Sequence, residues 1–158
     1  MTQPSHPAET HERLLDDSDV SQVIGYRLAQ ASISTTELFG QLVGGPLDLR
    51  PVEYTVLSII NRNPGVSGGS IARFLAMTAS NVVAWLTRLE EKGLVKRESS
   101  ASDGRRQSLR TTAEGAKLAK AATKKLVDGD RLAFGNLSGA EHAMLLELLG
   151  KVAARRAR

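Results

Sequence analysis

From about Asp19 to Val43, the apolar residues Val20, Val23, Ile24, Leu28, Ala31, Leu38, Phe39 and Leu42 recur at steps of three and four. That spacing places them on one face of a long helix. Gly44, Gly45 and Pro46 are expected to end it, because glycine terminates helices at little cost and the residue before a proline is pushed out of helical geometry. A second helix is predicted from Pro51, a residue suited to a first helical turn, with Val52, Val56, Leu57, Ile59 and Ile60 inward and a stop at Asn63, Pro64 and Gly65. Ser67 caps a short third helix carrying Ile71, Ala72, Phe74 and Leu75. Thr78 caps a fourth, with Val82, Trp85, Leu86 and Leu89 inward, and Gly93 closes it. Only Ala76 and Met77 separate these two helices, which is a helix-turn-helix arrangement.

Beyond Gly93 the period changes. Leu94 to Glu98 reads as a strand, Ser99 to Gly104 as a polar turn region and Gln107 to Thr112 as the returning strand, together a β-hairpin. A further helix is predicted from Ala113 through Lys125, with Leu118, Ala122 and Leu126 on one side and Lys117, Lys120, Lys124 and Lys125 on another. Asp128, Gly129 and Asp130 are expected to interrupt or kink it. Ser138 and Glu141 stand in the S-x-x-E relation that starts a last helix, whose face is Met144, Leu145, Leu148, Leu149 and Val152. Its basic end, Lys151, Arg155, Arg156 and Arg158, suits a helix C-terminus. Residues 1–17 are polar, contain Pro4 and Pro7, and read as a mobile arm.

At 158 residues the chain supports one compact domain, or one domain with oligomerisation arms. The absence of cysteine excludes disulfides, thiolate metal sites and thiol chemistry. The N-terminal stretch has neither a secretory apolar run nor a membrane span, and a soluble cytoplasmic protein is expected. The formal net charge is +4, and its placement is informative. Between Arg73 and Arg110 stand Arg73, Arg88, Lys92, Lys96, Arg97, Arg105, Arg106 and Arg110, eight cations, against Glu90, Glu91, Glu98 and Asp103, four anions. A helix-turn-helix followed by a basic hairpin is the arrangement of a winged helix, in which one helix enters the major groove and the hairpin reaches the adjoining backbone or minor groove.

In RLEEKGLVKR (Arg88 to Arg97), Asp103-x-Arg105, Thr112-x-x-Gly115 and LSGAE (Leu137 to Glu141), taken in this order and spacing, the chain resembles the MarR family of bacterial transcriptional regulators over roughly residues 20–155. The resemblance implies a mainly α fold: a winged helix-turn-helix with a small β-hairpin wing, and N- and C-terminal helices that interlock in a homodimer. Residues 18–45 and 114–158 would form the dimerisation region and residues 46–113 the DNA-binding domain. Thr78 would cap the recognition helix, with Ala79, Ser80, Asn81, Ala84 and Arg88 along its DNA-facing side. Asn81 suits a bidentate pair with adenine, Ser80 a base or phosphate, and Ala84 a thymine methyl group, a reader leaning toward A·T contacts. Relatives often carry Thr-Arg where this chain has Val83-Ala84. In the wing, Arg105 matches the residue that enters the minor groove, Asp103 the one that orients it, and Arg106 a neighbouring phosphate contact.

The resemblance further implies repression through a pseudo-palindromic double-stranded operator, with release by a small lipophilic or phenolic acid. Phe39 and Tyr54 are candidates for lining that ligand's pocket, although both also suit the core. A winged-helix protein-interaction module and a ligand-independent DNA-binding protein are the alternatives.

Other features read as structural. Trp85, three and four residues from Val82 and Leu89, is expected in the core against the second and third helices. His6, His11 and His142 lack metal-ligand spacing, and Gly65, Gly68 and Gly69 lack the lysine of a phosphate loop. Glu90 and Glu91 point to different helix sides and make no acid/base pair. Neither an enzyme, a metal site nor a cofactor is expected.

Overall fold

The computed structural model describes residues 15–99 and 107–154. The element order is α1 (Ile24–Phe39), a π-helical turn (Gly40–Gly44), the single turn α2 (Gly45–Leu47), α3 (Pro51–Arg62), α4 (Gly68–Leu75), α5 (Ala79–Glu91), β1 (Val95–Ser99), β2 (Gln107–Thr111), α6 (Ala113–Ala133) and α7 (Gly139–Ala154). Two units divide the chain between Ile33 and Ser34. Most of the expected arm, residues 1–14, lies outside the described residues. None of the described helices is long and apolar enough to cross a membrane.

In the first unit a turn precedes α1. The Asp17 carbonyl accepts from the Val20 and Ser21 amides at 3.0 and 2.9 Å, and the Asp17 carboxylate accepts from the Tyr26 hydroxyl at 2.9 Å. Val20, Val23, Ile24, Leu28 and Ile33 are all exposed.

The second unit corrects the expected end of the first helix. Gly44 and Gly45 keep right-handed helical angles, and Pro46 sits inside the next turn. Gly45 has no Cβ for the proline ring to strike, so the usual restriction on the residue before proline is relaxed. The run ends instead at Asp48, in the left-handed conformation with φ 47°.

Helix α3 starts with Pro51 and buries Glu53, Val56, Leu57 and Ile60, a face at i, i+3, i+4 and i+7. The caps of the next two helices are as predicted: Ser67 Oγ accepts from the Ser70 amide at 3.1 Å and Thr78 Oγ1 from the Asn81 amide at 3.3 Å. Between them Ala76 is left-handed, with φ 51°, a conformation in which Cβ crowds the following carbonyl. Ala76→Gly is expected to stabilise the protein by about 0.5 to 1 kcal/mol, a Tm rise of roughly 1–4 °C in thermal unfolding. An unchanged or lower Tm would show that the turn carries no such strain.

Two aromatic residues stand outside the core, Trp85 against expectation. Phe74 is 74% exposed, because it lies about 200° around the short helix α4 from the buried Ala72. Trp85 is half-buried and stands apart from the hydrophobic core. The guanidiniums of Arg50 and Arg88 lie over its ring, 5.9 and 5.8 Å from the centroid. The periodicity that suggests apolar packing is met by cations.

Gly93, with φ 68°, turns the chain from α5 into the hairpin. Strands β1 and β2 pair antiparallel from Val95 opposite Thr111 to Ser99 opposite Gln107. A bridge between Val66 and Leu109 ties the hairpin to the entry of α4, with Leu109 N donating to Val66 O at 3.0 Å. Leu94, Val95 and Leu109 join Leu57, Ile60, Ile71, Leu86 and Leu89 in one core.

Thr112 caps α6 with its hydroxyl, accepting from the Gly115 amide at 3.0 Å and donating to Gly93 O at 2.8 Å. The expected break at Asp128, Gly129 and Asp130 does not occur: α6 runs to Ala133 with Gly129 buried. A Cβ at Gly129 would stand 2.2 Å from Leu42 Cδ1, so this glycine permits a close approach and ends nothing. Helix α7 opens on the predicted capping box, Ser138 N donating to Glu141 Oε2 at 2.8 Å and Glu141 N to Ser138 Oγ at 3.3 Å. Its face of Met144, Leu145, Leu148, Leu149 and Val152 is exposed throughout.

Candidate nucleic-acid interface

Helix α5 divides cleanly. Val82, Leu86 and Leu89 are buried, whereas Ala79, Ser80, Asn81 and Ala84 are exposed and Arg88 is half-buried. Thr78, also exposed, both caps the helix and shares a 3.1 Å hydrogen bond with Ser80 Oγ. Ser80, Ala84 and Arg88 recur at steps of four and form one stripe. The wing residues Asp103, Arg105 and Arg106 lie outside the described residues.

At the base of the wing the charges are paired. Glu98 meets Lys96 at 2.8 Å and Arg110 at 2.7 Å, and Arg97 meets Glu90 at 2.7 Å. The Lys96 hydrogen bond, with help from Arg110, holds the Glu98 carboxyl below its ordinary pKa. Arg73, on α4, donates to Ser70 Oγ at 3.2 Å. Glu90 and Glu98 already stand among the four anions of this stretch, so these pairs order the base of the wing and leave its cationic surplus unchanged.

The anion that does offset part of this surplus escapes the sequence pattern. Glu53 is 0% exposed and lies outside the stretch from Arg73 to Arg110 that carries the surplus. Its Oε1 accepts from Arg88 Nε at 2.8 Å, and its Oε2 accepts from the Arg50 amide at 2.8 Å and Lys92 Nζ at 3.2 Å. Lys92 also pairs with the Asp48 carboxylate at 3.2 Å. Burial pushes the Glu53 pKa up, but the Arg50 amide, Arg88 and Lys92 outweigh it and hold the carboxyl below its ordinary value. A signal exists in the chain: Glu53 occupies the first position of the face completed by Val56, Leu57 and Ile60, where a charge demands partners.

The two ligand-pocket candidates are neighbours, with ring centroids 6.0 Å apart and planes inclined by 51°. Tyr54 lines an open cleft of about 630 Å³ between α3 and α6, together with Ser58, Arg62, Lys120 and Thr123, while Phe39 packs at the margin of the core. The Tyr54 hydroxyl and Thr123 Oγ1 share a 3.0 Å hydrogen bond across that cleft. Ser58 Oγ is buried without a hydrogen-bond partner among the described residues.

Comparison with known proteins agrees with this geometry. Residues 47–106 match the model of the MarR family. The chain is 32% identical over 105 residues to the transcriptional regulator HosA of Escherichia coli O111:H-, covering 66% of this chain and 78% of HosA. It is 30% identical over 107 residues to the HTH-type transcriptional repressor Rv2887 of Mycobacterium tuberculosis, covering 68% and 77%. Among solved structures, the transcriptional repressor CouR bound to a 23-mer DNA duplex is 32% identical with a TM-score of 0.79, over 88% of this chain and 98% of the CouR chain. By identity, coverage and fold together, the chain belongs to the MarR family of transcriptional regulators.

Proposed function

We propose that this protein works in the cytoplasm as a homodimeric repressor that binds a pseudo-palindromic operator. The observation that carries the reading is CouR, a repressor alike over nearly the whole chain and bound to duplex DNA. The capped, outward-facing stripe of α5 is the surface that would enter the major groove, with Thr78, Ala79, Ser80, Asn81 and Ala84 nearest the bases and Arg105, oriented by Asp103, in the minor groove beside Arg106. The exposed apolar faces of α1 and α7 supply the dimer, since burying a Leu or Val side chain contributes about 1.5–3 kcal/mol. Two recognition helices then address half-sites about 34–36 Å apart. Selection of bound duplexes from a genomic library tests this directly: a recovered palindrome is expected, and no specific duplex at any ionic strength would leave a protein-interaction module in its place.

Arg105→Ala is expected to weaken operator binding broadly and to reduce the log-log salt slope by about 0.9 per lost phosphate-equivalent contact. Unchanged affinity and slope in a salt titration would remove Arg105 from the interface. A lipophilic acid in the cleft beside Tyr54, with Phe39 backing that ring, would release the operator if it binds better to a dimer whose reading helices are wrongly spaced. The buried Ser58 hydroxyl and the cations Arg62 and Lys120 fit such a ligand. If no compound of a lipophilic-acid panel alters operator affinity or Tm, regulation is ligand-independent.

A further inference from the structure

We propose that Glu53 is a positioning residue for DNA recognition, holding the Arg88 guanidinium in one attitude on α5 so that its outer edge meets a DNA phosphate. The inference rests on the reading of α5 as the DNA-reading helix. A fully buried carboxylate is costly unless it is paired and hydrogen-bonded, and the three groups that meet Glu53 converge on one junction. Arg88 and Lys92 come from α5 and the residue that ends it, and the Arg50 amide comes from the entry to α3. Lys92 also reaches the Asp48 carboxylate and carbonyl, so α5 is tied to the corner before α3.

Arg88 is held in two ways. Its Nε is engaged by Glu53, and its guanidinium lies over the Trp85 ring, 5.8 Å from the centroid. The side chain nevertheless remains 41% exposed. A guanidinium has five donors, so its Nη edge stays available to an anion while carboxylate and ring fix its plane. Arg88 lies about 12 Å down the helix from Ser80, on the same stripe but beyond the turn that addresses bases, which suits backbone contact. An arginine fixed in advance gives up less rotamer freedom on meeting phosphate than one free in water.

Charge alone predicts the opposite outcome. Removing a carboxylate near a polyanion should tighten binding, whereas loss of a positioning group should weaken it. The test uses the full chain and its selected operator, with Kd measured across a salt series for wild type, Glu53→Gln, Arg88→Ala and the double variant. Glu53→Gln keeps the shape of the side chain and its bond to the Arg50 amide. It is expected to bind about tenfold more weakly, with a salt slope lower by about 0.9, the loss of one phosphate contact. The double variant should bind no more weakly than Arg88→Ala alone, because the two residues act as one unit.

Equal or tighter binding by Glu53→Gln, or losses that multiply in the double variant, would overturn the proposal. Should Glu53→Gln fail to fold, Arg88→Lys decides, since it keeps the charge without the planar fork: weakening is expected, and wild-type affinity would overturn the role. If the wild type itself binds no duplex, the reading of α5 falls and the positioning role with it; if the wild type binds and only the variants fail to respond, the positioning role alone falls.

Discussion

Gly115→Ala is expected to cost about 3 kcal/mol of stability, seen as a Tm fall of roughly 6–12 °C, and to weaken operator binding through displacement of the wing. Gly115 is buried in the first turn of α6, against the start of the hairpin. A Cβ there would stand 2.0 Å from Leu94 O, 2.8 Å from its carbonyl carbon and 3.1 Å from its Cα. These are backbone atoms and have no rotamer into which to retreat. Leu94 is pinned from both sides, its amide donating to Leu89 O at 2.9 Å and its carbonyl accepting from the Thr112 amide at 3.0 Å. Relief would require α6 or the hairpin to move, and either motion breaks the Thr112 cap that joins them. Thermal unfolding and a gel shift check this, and a variant with wild-type Tm would disprove the close approach.

The second large effect is at Glu53. Glu53→Ala is expected to cost about 2 to 3 kcal/mol at neutral pH, near the low end for breaking a buried ion pair because the cations it leaves behind are partly exposed and can turn to water. The native carboxyl titrates below the ordinary value of 4.5, so its stabilisation is complete above that value and is lost as the pH falls through the depressed native value. The stability gap between wild type and variant should therefore narrow in acid. Denaturant titrations at neutral and acidic pH measure it. A gap that stays constant would show that the ionised carboxylate is not what stabilises the junction.

These two residues mark the border of what is legible in the chain. The caps at Ser67, Thr78 and Ser138, the Pro51 start and the hairpin depend on neighbours within a few positions, and all can be read from residue order alone. The outward stripe of α5 follows from the same helical period that buries Val82, Leu86 and Leu89. Gly44, Gly45, Pro46 and Gly129 have the local signature of stops and are none, because glycine carries two meanings. It can end a helix, or it can let another element come close, and only the position of Leu42 beside Gly129 separates the two. Helical period assigns Trp85 to the core. Its actual surroundings depend on arginines, one of which, Arg50, comes from the entry to another helix.

By itself, then, the sequence determined where most helices and strands begin, which face of each is apolar, and that a helix-turn-helix with a basic hairpin is present, since such signals arise from local backbone satisfaction and from side-chain period. Tertiary structure alone decided which cations remain available at the interface and why Gly115 must be glycine. The pairing of Arg88 and Lys92 with Glu53, and the approach of α6 to Leu94, join residues far apart in the chain. Their energies come from burial and contact that exist only once the helices have packed.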